Sequence, residues 1–295
     1  MLDFTRREFL AQSSLAFGAA ALAPAVARAA APERKLRSPA DEVVLGRSGI
    51  RTSLLGLGTG MHGVRRSSNQ LKLGQEGFTR LVRHALERGV RYFDTADQYG
   101  THIYLREALK GIDRSGLLIQ TKTLAKHPEV LKADIERYRQ ELGADVLDCV
   151  LMHCMTKRTW SADMRPVMEV LGEYKQRGVV RAVGISCHGW EPLEASLDVD
   201  WIDVQLARIN PFGSAMDGPP EKVAPVLAAM HRRGRGVLGM KICGGGRNTG
   251  AEDRLKSLGY VLGLGCVDAF TIGFESPQQL DEVFAQIEQV LAAAS

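Results

Sequence analysis

The chain has 295 residues, 45% hydrophobic and 24% charged, which is ordinary globular usage and excludes disordered and fibrous classes. Its formal net charge of +4 is small and scattered, so the charge gives no argument for a nucleic-acid partner. Five cysteines (Cys149, Cys154, Cys187, Cys243, Cys266) lack C-x-x-C spacing and read as buried thiols, and no H-x-x-x-H or carboxylate cluster carries metal-ligand spacing.

The first segment reads as an export signal. Thr5-Arg6-Arg7-Glu8-Phe9-Leu10 precedes a small apolar run over 14–25, which ends in Ala25-Val26-Ala27 and Ala27-Arg28-Ala29, residues a signal peptidase accepts. The paired arginines followed by Phe and Leu resemble a twin-arginine signal. Residues 1–29 are therefore expected to be a signal peptide read by export machinery, giving a periplasmic or secreted location. The run is too short for comfortable membrane spanning, so no stable anchor is expected. Residues 30–41, with Pro32, Pro39 and mixed charge, read as a linker, leaving 42–295 as the folded domain.

From Ile50 onward, short apolar or β-branched runs alternate with stretches of helical period. Strands are predicted at 53–57, 92–95, 117–121, 146–152, 182–186, 202–205, 237–241 and 269–273. Helices are predicted at 77–88, 102–109, 129–142, 164–177, 192–196, 221–233, 253–262 and 277–293. Arg88-Gly89, Arg177-Gly178 and Arg233-Gly234 supply a left-handed glycine cap behind a cation that faces the negative helix end. Eight such units make a closed (β/α)8 TIM barrel the best α/β solution, with its ligand site where strands end and loops begin. The competitor is a Rossmann turn in the glycine-rich run 56–63, but no acidic residue ends a following strand at the required spacing.

Four polar residues stand at or just beyond the ends of predicted strands: Asp94, Tyr99, Lys122 and His153. In a barrel the ends of strands two, three and four are neighbours, so these side chains can converge over one mouth. A phenol is a sluggish acid at neutral pH, and a nearby ammonium such as Lys122 lowers its pKa. A carboxylate such as Asp94 keeps a buried lysine charged, and His153 can orient a substrate carbonyl. Taken singly, each has a duller explanation as a cap, a solvated end, a loop aromatic or a core histidine.

Phe93-Asp94-Thr95-Ala96-x-x-Tyr99-Gly100, with Lys122 and His153 at strand ends, resembles the Asp, Tyr, Lys, His tetrad of the aldo-keto reductase family. Val44-Leu45-Gly46-Arg47-Ser48-Gly49-Ile50 resembles the hairpin that closes the bottom of that family's barrel, and Leu57-Gly58-Thr59-Gly60 its first strand. The resemblance implies a carbonyl reductase using NADPH or NADH, with Tyr99 as general acid, Lys122 and Asp94 tuning it, and His153 orienting an aldehyde, ketone or quinone. It implies that Ser186 and Gln205 contact the nicotinamide carboxamide, and that Thr59 and Gly60 flank its ribose. It further implies that Gly273, Phe274, Glu275, Ser276 and Gln279 form the phosphate loop, and that Glu282 contacts the adenosine.

There are departures from that pattern. Cys187-His188 stands where the family often has Asn, and Met240-Lys241-Ile242 runs into Cys243-Gly244-Gly245-Gly246-Arg247. A triple-glycine turn lets amides approach a pyrophosphate, with Lys241 and Arg247 supplying charge. No Lys or Arg stands in 273–279 to meet a 2′-phosphate, so NADH is as plausible as NADPH. Residues 61–71, 152–160 and 188–190 should line the mouth, with Trp160 and Trp190 either pocket walls or core. Arg65 and Arg66 read as a solvated loop, with contact to an acidic substrate as the alternative. The family resemblance implies a monomer, and the alternative function is a nucleotide-binding sensor with slow turnover.

Overall fold

The alternating pattern resolves, in the computed structural model described over residues 35–294, into ten strands and nine α-helices. The chain opens with β1 (Glu42–Leu45) and β2 (Ile50–Ser53), then β3 (Leu55–Gly58), α1 (Gly74–Glu87), β4 (Tyr92–Asp94) and α2 (His102–Ala108). It continues through β5 (Leu118–Thr123), α3 (Pro128–Leu142), β6 (Leu147–Met155), α4 (Trp160–Asp163), α5 (Arg165–Gln176), β7 (Val180–Cys187) and α6 (Trp190–Ala195). Last come β8 (Val204–Arg208), α7 (Pro220–Arg232), β9 (Gly236–Met240), α8 (Ala251–Gly263), β10 (Ala269–Gly273) and α9 (Pro277–Ala293). The predicted signal, 1–29, and the first part of the predicted linker lie outside the described residues.

Strands β3 to β10 pair in parallel around a closed ring, so the architecture is the expected (β/α)8 barrel. The longer helices each bury one stripe. In α1 the stripe is Phe78, Leu81, Val82 and Ala85, the i, i+3, i+4, i+7 rhythm of an amphipathic helix. The glycines behind Arg88, Arg177 and Arg233 take φ of 88°, 73° and 76°, as the helix punctuation predicted.

The antiparallel β1–β2 hairpin closes one end, with Leu45 and Ile50 packed among inward residues Tyr92, Leu118, Leu151 and Leu238. It sits at the N-terminal ends of the strands, since the first residue of β9, Gly236, lies against Leu45. Gly46 turns there at φ 45°, and a Cβ on it would come within 2.4 Å of Gly234 O, so the contact requires glycine. The opposite, C-terminal mouth is left for chemistry.

Several boundaries move, each for a local reason. Residues 36–41 are docked rather than a linker: Leu55 N donates to Pro39 O at 2.9 Å, Leu54 N to Asp41 O at 3.0 Å, and Ala40 packs on the core. Ser53 belongs to the hairpin, not to the first barrel strand. The sixth barrel strand begins two residues later than predicted, at Val204, because Asp203 anchors it from outside: its carboxylate takes Lys175 Nζ at 2.5 Å and Val183 N at 3.1 Å. β6 runs on to Met155 through a register shift, with Cys154 at φ 61°. Lys241, at φ 60°, falls just outside β9.

Candidate active site

Strand pairing sets Asp94 opposite Gln120, and the two-residue period of β5 puts Gln120 and Lys122 on one face. Both reach Asp94 Oδ1, Gln120 Nε2 at 2.7 Å and Lys122 Nζ in a short ion pair. Lys122 Nζ also donates to Thr95 O at 2.9 Å and lies 3.4 Å from the Tyr99 hydroxyl. Lys122 is 1% exposed and Asp94 6%, so the pair is formed away from water. The His153 ring meets Tyr99 edge-on at 5.8 Å between centroids. Asp94, Tyr99, Lys122 and His153 thus stand together at the C-terminal ends of β4, β5 and β6.

Burial alone would strip the proton from Lys122, but the charge of Asp94 and contact with Tyr99 outweigh it and hold the ammonium above its ordinary pKa. Tyr99 goes the other way from the sequence expectation. Lys122 does pull its phenol down, but burial pushes it up more strongly, so the hydroxyl stays protonated at neutral pH. Burial, then the charge of Lys122 and the neighbouring His188 ring, hold His153 well below the usual imidazole value. A neutral imidazole, a protonated phenol and a fixed ammonium make a proton-donating cluster. The Nδ1 of His153 has no protein partner.

Tyr99 ends the short turn Asp97–Tyr99, closed by Gly100 at φ 71°. Beside it the hydroxyl of Thr101 meets Thr59 Oγ1 and Thr95 Oγ1, each at 2.8 Å. Thr59 also gives its hydroxyl to Asp94 O at 2.9 Å, so this fully buried side chain braces the end of β4 beside the cluster.

The residues expected around a nucleotide divide in two. At β7 and β8, Ser186 Oγ accepts from Cys154 N at 3.0 Å, and the fully buried Gln205 keeps Oε1 without a partner. Lys241 is exposed at the mouth, and Gly244, Gly245 and Gly246 follow at φ 60°, 69° and 93°, a turn open only to glycine. Beyond β10, Ser276 caps α9 by accepting from Gln279 N at 3.3 Å, and Gln279 Oε1 takes Glu275 N at 2.8 Å. Gly273 lies under Met61, and Glu282 pairs with Arg254 at 3.0 Å. Phe274 is 2% exposed and packs within the core, its carbonyl taken by Gln70 Nε2 at 3.0 Å, so its side chain does not reach the mouth.

Of the two tryptophans, Trp160 takes the core alternative, being 2% exposed and packed in the core because α4 turns it inward. Trp190 opens α6, half-buried against Gly218. Sequence reading passed over Gln120, whose signal was a polar residue two places before Lys122 and so on the same face of the strand. It also passed over the buried His102, which bridges Glu141 Oε2 and Thr121 Oγ1 at 2.8 Å each, and over the Arg208–Asp217 pair at 3.2 Å. Among the described residues no group of His, Cys, Asp and Glu is placed to hold a metal ion, and no helix is long and apolar enough to cross a membrane.

A family model described as the aldo/keto reductase family matches residues 54–263. A Glycine max protein named as an aldo-keto reductase is 25% identical over 185 residues, 54% of this chain and 51% of that protein. The NADH-specific methylglyoxal reductase of Escherichia coli (strain K12) is 23% identical over 199 residues, 60% of this chain and 61% of that protein. The chain spans about half the length of the curated relatives it matches. A solved structure from Pseudomonas aeruginosa, described as an aldo-keto reductase, superimposes with a TM-score of 0.72 at 22% identity, covering 86% of this chain and 98% of that one, a likeness of fold.

Proposed function

We propose, from the premise that the chain belongs to the aldo/keto reductase family, that it reduces a small-molecule carbonyl with a nicotinamide nucleotide, Tyr99 acting as general acid. The observation that carries this reading is the buried Lys122 ammonium, paired with Asp94 and 3.4 Å from the Tyr99 hydroxyl. The substrate class is an aldehyde, ketone or quinone.

The donor set fits a nicotinamide nucleotide. Gln205 Oε1, buried and without a partner, is an acceptor for a carboxamide N–H, and Ser186 stands on the adjacent strand end. The glycine turn 244–246, with Lys241 and Arg247, and the capped start of α9 would hold phosphates. The chemistry that such a group supplies when bound is hydride donation to the carbonyl carbon. Tyr99 gives its hydroxyl proton to the carbonyl oxygen as negative charge develops there. Lys122 stabilises the phenolate left behind, Asp94 and Gln120 keep Lys122 in place, and neutral His153 donates a hydrogen bond that orients the carbonyl.

NADH is the favoured coenzyme in this reading. Glu275 and Glu282 bring carboxylates to the side where a 2′-phosphate would lie, and like charges repel. The nearby Arg254 is spent, with Nη2 on Glu282 at 3.0 Å, Nε on Gln286 at 2.8 Å and Nη1 on Thr249 O at 2.8 Å. The E. coli relative is named for NADH specificity as well. Fluorescence titration should give a Kd for NADH at least about tenfold below that for NADPH, ~1.4 kcal/mol; equal affinities would sink the preference.

The same reading includes export through the paired Arg6 and Arg7. Fusing residues 1–34 to a folded reporter should carry it out of the cytoplasm, and Arg6→Lys with Arg7→Lys should keep it in; export of both would refute the signal. Reductase activity itself is tested on residues 30–295 by the absorbance of the reduced nucleotide with a panel of aldehydes, ketones and quinones. Carbonyl-dependent consumption is expected, and nucleotide binding without turnover would overturn the proposal.

A further inference from the structure

Tyr99 is gripped by the chain that follows β3. A Cβ on Gly60 would lie 2.2 Å from Tyr99 Cε2, and one on Gly63 would lie 2.2 Å from Cδ1, so bare backbone touches both edges of the ring. Residues 60–70 close on themselves through Gly63 N to Gly60 O at 3.0 Å, a Val64–Ser67 bridge, and Asn69 N to Met61 O at 2.9 Å. His62, Arg65 and Arg66 hold φ of 53°, 51° and 57°, a left-handed conformation that non-glycine residues keep only where contacts impose it.

Those contacts form two fastenings. On the Tyr99 side, Arg66 Nη2 donates to Glu141 Oε1 at 2.7 Å and Nη1 lies 3.1 Å from Asp97 Oδ1, the first residue of the turn that carries Tyr99. Arg137 from α3 meets the same Asp97 oxygen at 2.7 Å, and Arg66 O presses on Gly100, where a Cβ would come within 2.3 Å. On the other side, the fully buried Gln70 accepts Met61 N at 2.9 Å and donates to Phe274 O at 3.0 Å. Asn69 Nδ2 donates to Glu275 Oε1 at 2.6 Å, and Met61 covers Gly273. One loop therefore runs from the Tyr99 turn to the segment between β10 and α9.

We infer that residues 60–70 are a clasp that positions the Tyr99 phenol, with Arg66 and Gln70 as its two positioning residues, an inference that rests on Tyr99 being the proton donor. Arg66 fixes the turn that sets the hydroxyl against Lys122. Gln70 ties the same loop to the segment proposed to hold phosphates, so the proton donor and the nucleotide cradle share one mechanical element. Partly exposed ion pairs contribute little to global stability, so the clasp shows in the chemistry rather than in melting. A displacement of about 1 Å at a reacting group costs on the order of 10²-fold in rate.

The test uses full-length variants with kcat, KM, nucleotide Kd and the Tyr99 phenol titration, the last read as an ultraviolet difference against Tyr99→Phe in the same background. Arg66→Met should lower kcat about tenfold or more, leave KM and nucleotide Kd within about threefold, and shift the phenol titration, with Arg66→Lys restoring part of the loss. Gln70→Leu should lower kcat similarly and also weaken nucleotide binding. The variant Lys72→Met, exposed and outside residues 60–70, should match the native protein, and Glu141→Gln replaces Arg66→Met if that variant fails to fold. Native kcat in both Arg66→Met and Gln70→Leu overturns the clasp. Should Tyr99→Phe itself retain activity, the reading of Tyr99 as acid fails; the phenol titration needs no turnover, and its constancy in both variants then overturns the clasp separately.

Discussion

Replacing Tyr99 by Phe is expected to lower kcat at least about a hundredfold, ~2.7 kcal/mol of transition-state stabilisation, while nucleotide affinity stays near native. Phe keeps the ring that fits between Gly60 and Gly63, and Lys122 keeps its bonds to Asp94 and to Thr95 O. Only the transferable proton is lost. The pH profile gives a second reading of the same group. Burial raises the phenol more than Lys122 lowers it, so the acid form persists through neutral pH. Reduction should therefore hold level there and fall only on the alkaline side, above the ordinary phenol value of about 10. A Phe variant with native kcat, or a native profile that falls below neutral pH, would refute the assignment of Tyr99.

The barrel was legible because its strands are short apolar runs set between amphipathic helices whose glycine stops are explicit, as at Arg88-Gly89. What escaped was set by contacts distant in sequence. Asp203 reads as part of a strand, yet Lys175 and Val183 N claim its carboxylate and delay the strand by two residues. The hairpin took Ser53 because β2 pairs with β1 before the barrel begins.

At the site, Asp94 and Lys122 were legible as charges at the ends of apolar strands, where burial without a partner would be costly. The facing of neutral residues was not. Thr59, Phe274 and Trp160 all turn inward, and no local pattern distinguishes an inward Trp from a pocket wall. The glycine run after β3 carried its meaning in space: Gly56 makes room for Tyr92, and Gly60 and Gly63 make room for Tyr99. A dinucleotide turn and a close fit around an aromatic ring both need bare backbone, so the glycine spacing alone does not tell one from the other.

Lys122→Met is expected to combine a loss of kcat on the order of 10²-fold with destabilisation of about 3–5 kcal/mol, because it leaves Asp94 as a buried carboxylate without its cation. Gln120 Nε2 still donates to that carboxylate at 2.7 Å, but a neutral donor does not replace an ammonium. Asp94→Asn should destabilise too, by stranding a buried lysine whose proton Asp94 had secured. The double variant should be more stable than the sum of the two losses allows, since neither charge is then left alone. The sign of the pH dependence follows from the raised Lys122 value. Its stabilising contribution is complete below the unfolded lysine value, about 10.4, and is lost as pH rises through the folded one. The native protein should therefore lose urea resistance on the alkaline side more steeply than the double variant does. Strict additivity of the two single losses, with parallel alkaline profiles, would mean that the pair contributes no coupling and that Lys122 acts on Tyr99 alone.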